Sequence, residues 1–195
     1  ILAAGNSTRM RSPKQLLNWK GKTLIGHAIE TAQATKASKI MTVLGANSER
    51  IRPKIEHYGI QILNNKDWSS GLGSSIASGV NHILDSDSKI DAVLIILADQ
   101  PLIDVEYIQQ LIDKFQKEKQ QIIASKYNDN KLGVPVLFDT FYFEELIQLK
   151  DDKGAKSVLK KHSDFVLGVN ASHLVFDIDT LEDYKRLYKA NHQYL

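Results

Sequence analysis

Apolar runs and amphipathic stretches alternate along this chain. "ILAA" (1–4) reads as the end of a strand, and "TLIGHAIETAQAT" (23–35) has helical spacing through Leu24, Ile25, Ala28, Ile29 and Ala32. "KIMTVLG" (39–45) is a strand ended by Gly45, and "IQIL" (60–63) is another. Between them, "NSERIRPKIEHYG" (47–59) is a helix capped by Asn47 or Ser48 and stopped by Gly59. "SSIASGVNHILD" (74–85) and "DVEYIQQLIDKFQKE" (104–118) are helices. "DAVLIILAD" (91–99) is a continuous apolar run, as expected of a central strand covered on both faces. "QIIAS", "GVPVLF", "FVLGV" and "HLVFDI" read as strands. "TFYFEELIQL", "KGAKSVLKKH" and the closing "TLEDYKRLYKAN" read as helices.

This βαβα order predicts a three-layer α/β fold with a mostly parallel sheet. The strands and helices between about residues 121 and 170 are expected as an excursion over the sheet's active edge. At 195 residues, with no linker or repeat, the chain is expected to be one domain over 1–195. The first residue is Ile1, and the start of the first strand is expected to be cut short. In such sheets ligands sit at the carboxyl ends of strands. Three of those ends are chemically loaded: "AAGNSTR", "LADQP" and "FDIDT".

Charge narrows the chemistry. The formal net charge is +2, so anion binding must be local rather than global. No basic stripe with interleaved aromatics supports nucleic-acid binding. No apolar run reaches membrane-spanning length. Cysteine is absent, which removes thiolate metal sites and cysteine nucleophiles. The six histidines show no metal-ligand spacing, and His27 reads as a partly buried packing residue. A cytoplasmic location is the expectation.

Two stretches resemble nucleotide-binding motifs and fail. "GKT" (21–23) resembles a Walker A ending, but Leu16 stands where that motif needs glycine. "GLGSSI" (71–76) has Ile76 at the third glycine position of a dinucleotide fingerprint. The opening stretch is more promising. Ala3, Ala4 and Gly5 leave room for a ligand at the backbone, whose N–H groups can form an anion-binding concavity. Arg9 and Lys14 could then reach phosphate oxygens. A plain turn with solvated basic residues is the alternative.

"LAAGNSTRMRSPKQLL" resembles the signature of the MobA-like branch of the sugar-nucleotidyltransferase-like family, which makes molybdenum cofactor dinucleotides. The matching residues are Leu2, Ala3, Ala4, Gly5, Ser7, Arg9, Met10, Pro13, Lys14, Leu16 and Leu17. Arg11 stands where the family has glycine. "NKDWSSGLGSSIASG", "LADQP", "GVPVLF", "DDKGAKSVL" and "FDIDTLEDY" resemble later family motifs, in order. Asp151 replaces a usual glycine and Leu181 a usual proline.

The resemblance implies a Rossmann-like (GT-A-like) nucleotidyltransferase fold and transfer of a nucleotide to a phosphorylated acceptor. CTP as donor, Mg²⁺ as cofactor and a phosphorylated molybdopterin-type pterin as acceptor are the expectations, with a recipient molybdoenzyme as a further partner. GTP or another acceptor is the alternative within the class, and a non-catalytic carrier the alternative outside it. Arg9, Lys14 and Asp99 are the expected catalytic residues. Leu2, Ala3, Ala4, Gly5, Asn6, Ser7, Lys14, Ser69, Gly71, Gly73, Ser74, Ser75 and Asp99 would bind the nucleotide. Ala4 and Ser75 favour cytosine, whereas Ser74 could instead cap the following helix.

Asp99 ends an apolar strand, where a carboxylate suits Mg²⁺, although Asp-Gln-Pro is also a good turn former. Asp177 and Asp179, two apart on a strand, would face one ion; Asp179 or Thr180 could instead cap the last helix. Gly133, Pro135, Lys153 and Gly154 lie on the acceptor side by resemblance. Trp68 either walls the site or packs in the core.

Overall fold

The computed structural model describes residues 1–10, 12–86, 89–128, 130–150 and 152–191. Arg11, Asp151 and His192 therefore lie outside the described residues. The strands are β1 (Leu2–Ala3), β2 (Asn18–Trp19), β3 (Lys22–Thr23), β4 (Met41–Leu44), β5 (Gln61–Asn64), β6 (Ala92–Ile95), β7 (Ile122–Lys126), β8 (Leu132–Asp139) and β9 (Val166–Asn170). The helices are α1 (Leu24–Gln33), α2 (Ser48–Ile51), α3 (Leu72–Leu84), α4 (Val105–Lys114), α5 (Phe143–Leu146), α6 (Lys156–Lys161) and α7 (Leu181–Asn191).

A three-stranded part, β5-β4-β1, meets a four-stranded part, β6-β8-β7-β9, where Leu2 bridges Leu97 in parallel. Leu2 N donates to Ile96 O and Ala98 N to Leu2 O across this seam. Only β8 runs antiparallel to its neighbours in this sheet. The strand order places β6 at the centre, as its unbroken apolar run requires.

Side-chain alternation sorts the strands into two cores. Ile95, Ile122, Ala124, Val136 and Phe138 pack with Ile76 and Val80 of α3, Leu146 of α5 and Val158 of α6. Ile96, Ile123 and Leu137, their immediate neighbours, face Ile108 and Leu111 of α4 instead. Ile25 and Ile29 of α1 cover β1 and β4 on the same side through Ala3 and Leu44. The result is helix, sheet, helix.

Several expectations change. The stretch 121–170 does not lie over the active edge: β7, β8 and β9 extend the main sheet. Their apolar residues alternate between two faces, so they are stable only where both faces are covered. "HLVFDI" is not a strand, because both edges of β6 are already taken, by β1 and β8. It crosses the end of β6, touching its extension through the backbone bond from Ile178 N to Asp99 O (3.0 Å). The failed Walker ending is a hairpin: β2 pairs antiparallel with β3 around Lys20 (φ 48°) and Gly21 (φ 80°). Two positive φ values in a two-residue loop are what a tight hairpin needs. Finally, α3 starts at Leu72 after Gly71 (φ 103°), so Ser74 lies inside the first turn and is not its cap.

Candidate functional site

A cleft of about 330 Å³ opens at the carboxyl ends of β1 and β6. Leu2, Ala3, Ala4, Gly5, Asn6, Lys14, Ser69, Gly71, Ser75 and Asp99 line it. Gln15, Trp68, Leu72, Leu97, Ala98 and Asp152 complete the wall. A topological break in a parallel sheet, here between β1 and β6, is where such folds leave a crevice.

The loop after β1 is held from below. Gln15 is buried, and its Nε2 donates to Ala3 O and Gly5 O, both at 3.0 Å. Ser7 (φ 54°) accepts from Lys14 N at 3.1 Å, which folds the loop back on the turn that carries Lys14. Among the described residues the N–H groups of Asn6 and Thr8 meet no acceptor, and Asn6 lines the cleft. A Cβ on Gly5 would meet no protein atom, so the glycine keeps space open toward the cleft.

Charges gather at one corner. Lys14 Nζ lies 2.5 Å from Asp99 Oδ2 and 3.2 Å from Asp179 Oδ1. Arg9 Nη2 lies 3.1 Å from Asp179 Oδ2 but is mostly exposed and outside the cleft lining. Burial opposes the Lys14 ammonium, yet the Asp99 and Asp179 carboxylates outweigh it and raise its pKa. The other oxygen of Asp99, Oδ1, is buried with no hydrogen-bond partner among the described residues. An unsatisfied buried carboxylate oxygen costs ~1–3 kcal/mol or more and calls for a cation or donor.

Asp177 is exposed, but its carboxyl turns inward to the buried Gln100, whose Nε2 donates to Oδ1 at 2.8 Å. Desolvation pushes its pKa up, the Gln100 amide opposes this, and Asp99 and Asp179 add to the rise. Asp179 is not the helix cap. Thr180 takes that role: its Oγ1 accepts from Asp183 N at 3.1 Å, and its N–H donates to Asp183 Oδ2 at 3.0 Å. No group of three or more His, Cys, Asp or Glu in metal-holding geometry occurs among the described residues. Asp99 and Asp177 offer two carboxylates, enough for an ion that keeps waters and phosphate oxygens.

Not every expected residue reaches the cleft. Gly73 is buried in the first turn of α3. Ser74 Oγ donates to Asp67 O and Gly71 O, both at 2.8 Å, and so shapes the loop instead. Gly133 and Pro135 are buried in β8, away from the lining. A Cβ at Gly133 would sit 2.4 Å from the Tyr127 hydroxyl, so the glycine makes room for that ring. Gly154 (φ 56°) packs against Leu72 and Ile76, and Lys153 is exposed; among the described residues of this turn Asp152 is the one at the cleft. Trp68 lines the cleft, where Gly45 permits its approach: a Cβ there would be 2.6 Å from Trp68 Cβ. His27 is half-buried, with Nε2 3.1 Å from Pro101 O.

Three supporting residues were not among the expected site residues: Gln15, Asn65, which heads "NKDWSSGLGSSIASG", and Gln100 within "LADQP". Each is a buried amide beside a loop, and each follows a strand or turn signal directly. A neutral polar residue next to an apolar run was the available clue.

The mostly parallel sheet, the glycine-containing loop after β1 and the acidic end of β6 define an α/β protein with a cleft at its strand ends. The chain belongs to the family of the MobA-like NTP transferase domain, matched over residues 1–165. The nicotine blue oxidoreductase of Paenarthrobacter nicotinovorans is 30% identical over 203 residues, covering 96% of this chain and 94% of that protein. The bifunctional protein GlmU of Stutzerimonas stutzeri (strain A1501) is 28% identical over 177 residues. That match takes in 89% of this chain but only 38% of GlmU, so the chain spans well under half of that relative's length. Among solved structures, Rv0371c from Mycobacterium tuberculosis H37Rv superposes with a TM-score of 0.81 at 26% identity, covering 96% of this chain and 95% of that one. A second structure of Rv0371c, a complex with manganese, gives 0.79 at 26% identity, with 97% and 96% covered.

Proposed function

We propose that this protein is a nucleotidyltransferase that moves CMP from CTP to a phosphorylated molybdopterin-type cofactor and releases pyrophosphate. The observation that carries the reading is the Lys14–Asp99 pair at the cleft, with Asp99 Oδ1 lacking a donor. A triphosphate and its divalent ion would bring the missing positive charge to Asp99 and give Lys14 a phosphate partner. Family membership supports the reaction class, and the manganese complex of Rv0371c supports a divalent ion.

In this reaction an ionised phosphate oxygen of the acceptor attacks the α-phosphorus of CTP. The new P–O bond forms as the bond to the β-phosphate oxygen breaks, and that electron pair leaves with pyrophosphate. No general base is required, because the attacking oxygen carries no proton. The loop N–H groups at Asn6 and Thr8 hold phosphate oxygens. Lys14, released from Asp99, and Arg9, released from Asp179, meet the charge growing on the leaving group. Mg²⁺ held by Asp99 and Asp177, with Asp179 beside them, would neutralise the triphosphate. Ser75 meets the base, and Lys153 the acceptor, with Gly154, Gly133 and Pro135 shaping that wall.

Calorimetric titration of CTP and GTP, with and without Mg²⁺, tests the donor. The expected result is Mg²⁺-dependent binding with CTP favoured. Preference for GTP would move the donor assignment away from Ala4 and Ser75. Pyrophosphate release with the pterin acceptor tests the chemistry, and Asp99→Asn should slow it by about 10²-fold or more. Binding without release under any acceptor would leave a carrier. Binding of a reduced nicotinamide dinucleotide in place of a triphosphate would favour the redox role in the name of the Paenarthrobacter relative.

A further inference from the structure

Behind Ser75 sits Asn65, directly after β5 and 4% exposed. Every hydrogen-bonding group of its side chain is used. Its Nδ2 donates to Ser74 Oγ at 3.0 Å and to Ser75 Oγ at 3.1 Å. Its Oδ1 accepts from Asp67 N at 2.9 Å, which fixes the amide's orientation, since a flipped amide would set NH₂ against N–H. The backbone is anchored too, with Asn65 N donating to Leu44 O at 2.8 Å.

The two serines are then polarised in different ways. Ser74 accepts from Asn65 and shares its single proton between the carbonyls of Asp67 and Gly71. Ser75 accepts from Asn65, and among the described residues its own proton meets no acceptor. Ser75 is 2% exposed and lines the cleft. A hydroxyl has one donor and two lone pairs. With a lone pair taken from behind, Ser75 turns its O–H toward the ligand.

We propose that Asn65 is a specificity-determining positioning residue, which holds Ser75 as a donor so that the cleft selects a base edge presenting a lone pair. The inference rests on the nucleotide reading above and deepens it. In cytosine the matching atom is O2 or N3. A base offering an N–H at that point would meet only the remaining lone pair and leave the Ser75 proton without an acceptor among the described residues, and a buried mismatch of this kind is selected against. Asn65 touches no ligand itself; it acts through Ser75.

The test uses Asn65→Asp, which keeps the shape and replaces the donor with an acceptor, so that Ser75 gives its proton backward. Wild type, Asn65→Asp, Ser75→Ala and the double variant are titrated with the Mg²⁺ complexes of CTP, UTP, GTP, ATP and tripolyphosphate. Each single variant should lose about tenfold in affinity for the preferred nucleotide, the worth of one hydrogen bond. The carboxylate that Asn65→Asp adds near the cleft weakens every polyanion, so each nucleotide affinity is taken relative to tripolyphosphate; on that scale the double variant should be no worse than Ser75→Ala, because the two residues act as one unit. Unchanged ratios among the four nucleotides in Asn65→Asp, or additive losses in the double variant, would overturn the proposal. So would an equal loss for tripolyphosphate, which would make Asn65 a fold residue only. If wild type prefers GTP and Asn65→Asp shifts that preference, the positioning role stands and the CTP assignment falls. If wild type binds nucleotides no better than tripolyphosphate, the positioning role falls.

Discussion

Lys14 is held in two ways at once, by Asp99 and by Asp179. In the free protein its ammonium stands where a cation is needed between two carboxylates. The pairing raises its pKa above the ordinary 10.5. The native state therefore keeps this proton to higher pH than the unfolded chain does. The stabilisation is complete below pH 10.5 and is lost as pH climbs through the raised folded value. Urea unfolding between about pH 8 and pH 12 checks this. Lys14→Met should be less stable than wild type near neutrality and should lose less on the alkaline side. Identical slopes in both proteins would mean that the pair does not form in solution.

At the scale of elements, β8 shows how packing overrides a motif reading. Gly133 resembles an acceptor-side residue, but its lack of a side chain serves the neighbouring strand connection. The Tyr127 ring fills its Cβ position, and Tyr127 Oη donates to Val134 O at 2.7 Å. The Gln100 amide and the Asp177 carboxylate lie near that hydroxyl, which ties β8 to the acidic corner. Gly133→Ala should destabilise the protein by about 1–3 kcal/mol through overpacking. Tyr127→Phe in the same chain removes the hydroxyl oxygen only 2.4 Å from the new Cβ and should recover part of that loss. Denaturant titration of the two single variants and the double variant reads the coupling directly. Additive losses would show that the ring and the glycine do not share this space.

For the whole molecule, the question is whether a divalent ion is needed to hold the fold. The two larger cores lie on either face of the sheet, a smaller apolar cluster around Ile178 backs the charged corner, and Lys14 and Arg9 already pair with Asp99 and Asp179. Chelator should therefore leave Tm unchanged. Mg²⁺ with CTP at about 100 times Kd should add about 2.7 kcal/mol, a rise in Tm of about 5–10 °C for a chain of this size. Scanning calorimetry distinguishes the cases. A fall in Tm with chelator alone would mean that the metal is structural.

Local pattern determined much of this protein. The apolar run 91–99 specified a central strand, because every residue in it needs cover on one face or the other. The loop "AAGNSTR" and the strand end at Asp99 were legible as a pair, because parallel strands of βαβ units deliver their carboxyl ends to one side. Tertiary structure decided what depends on neighbours far along the chain. "HLVFDI" has the apolar content of a strand, but strands exist only where an edge is free, and β6 has none. Asp177 and Asp179 look equivalent in sequence, yet one faces Gln100 and the other faces Lys14 and Arg9. Asn65 and Gln100 stand in the motif stretches "NKDWSSGLGSSIASG" and "LADQP", and Gln15 follows a turn signal, but none of these positions says which group its amide will meet. Their roles come from which carbonyls, hydroxyls and carboxylates the folded chain sets before them, and hydrogen bonds between distant residues exist only after folding.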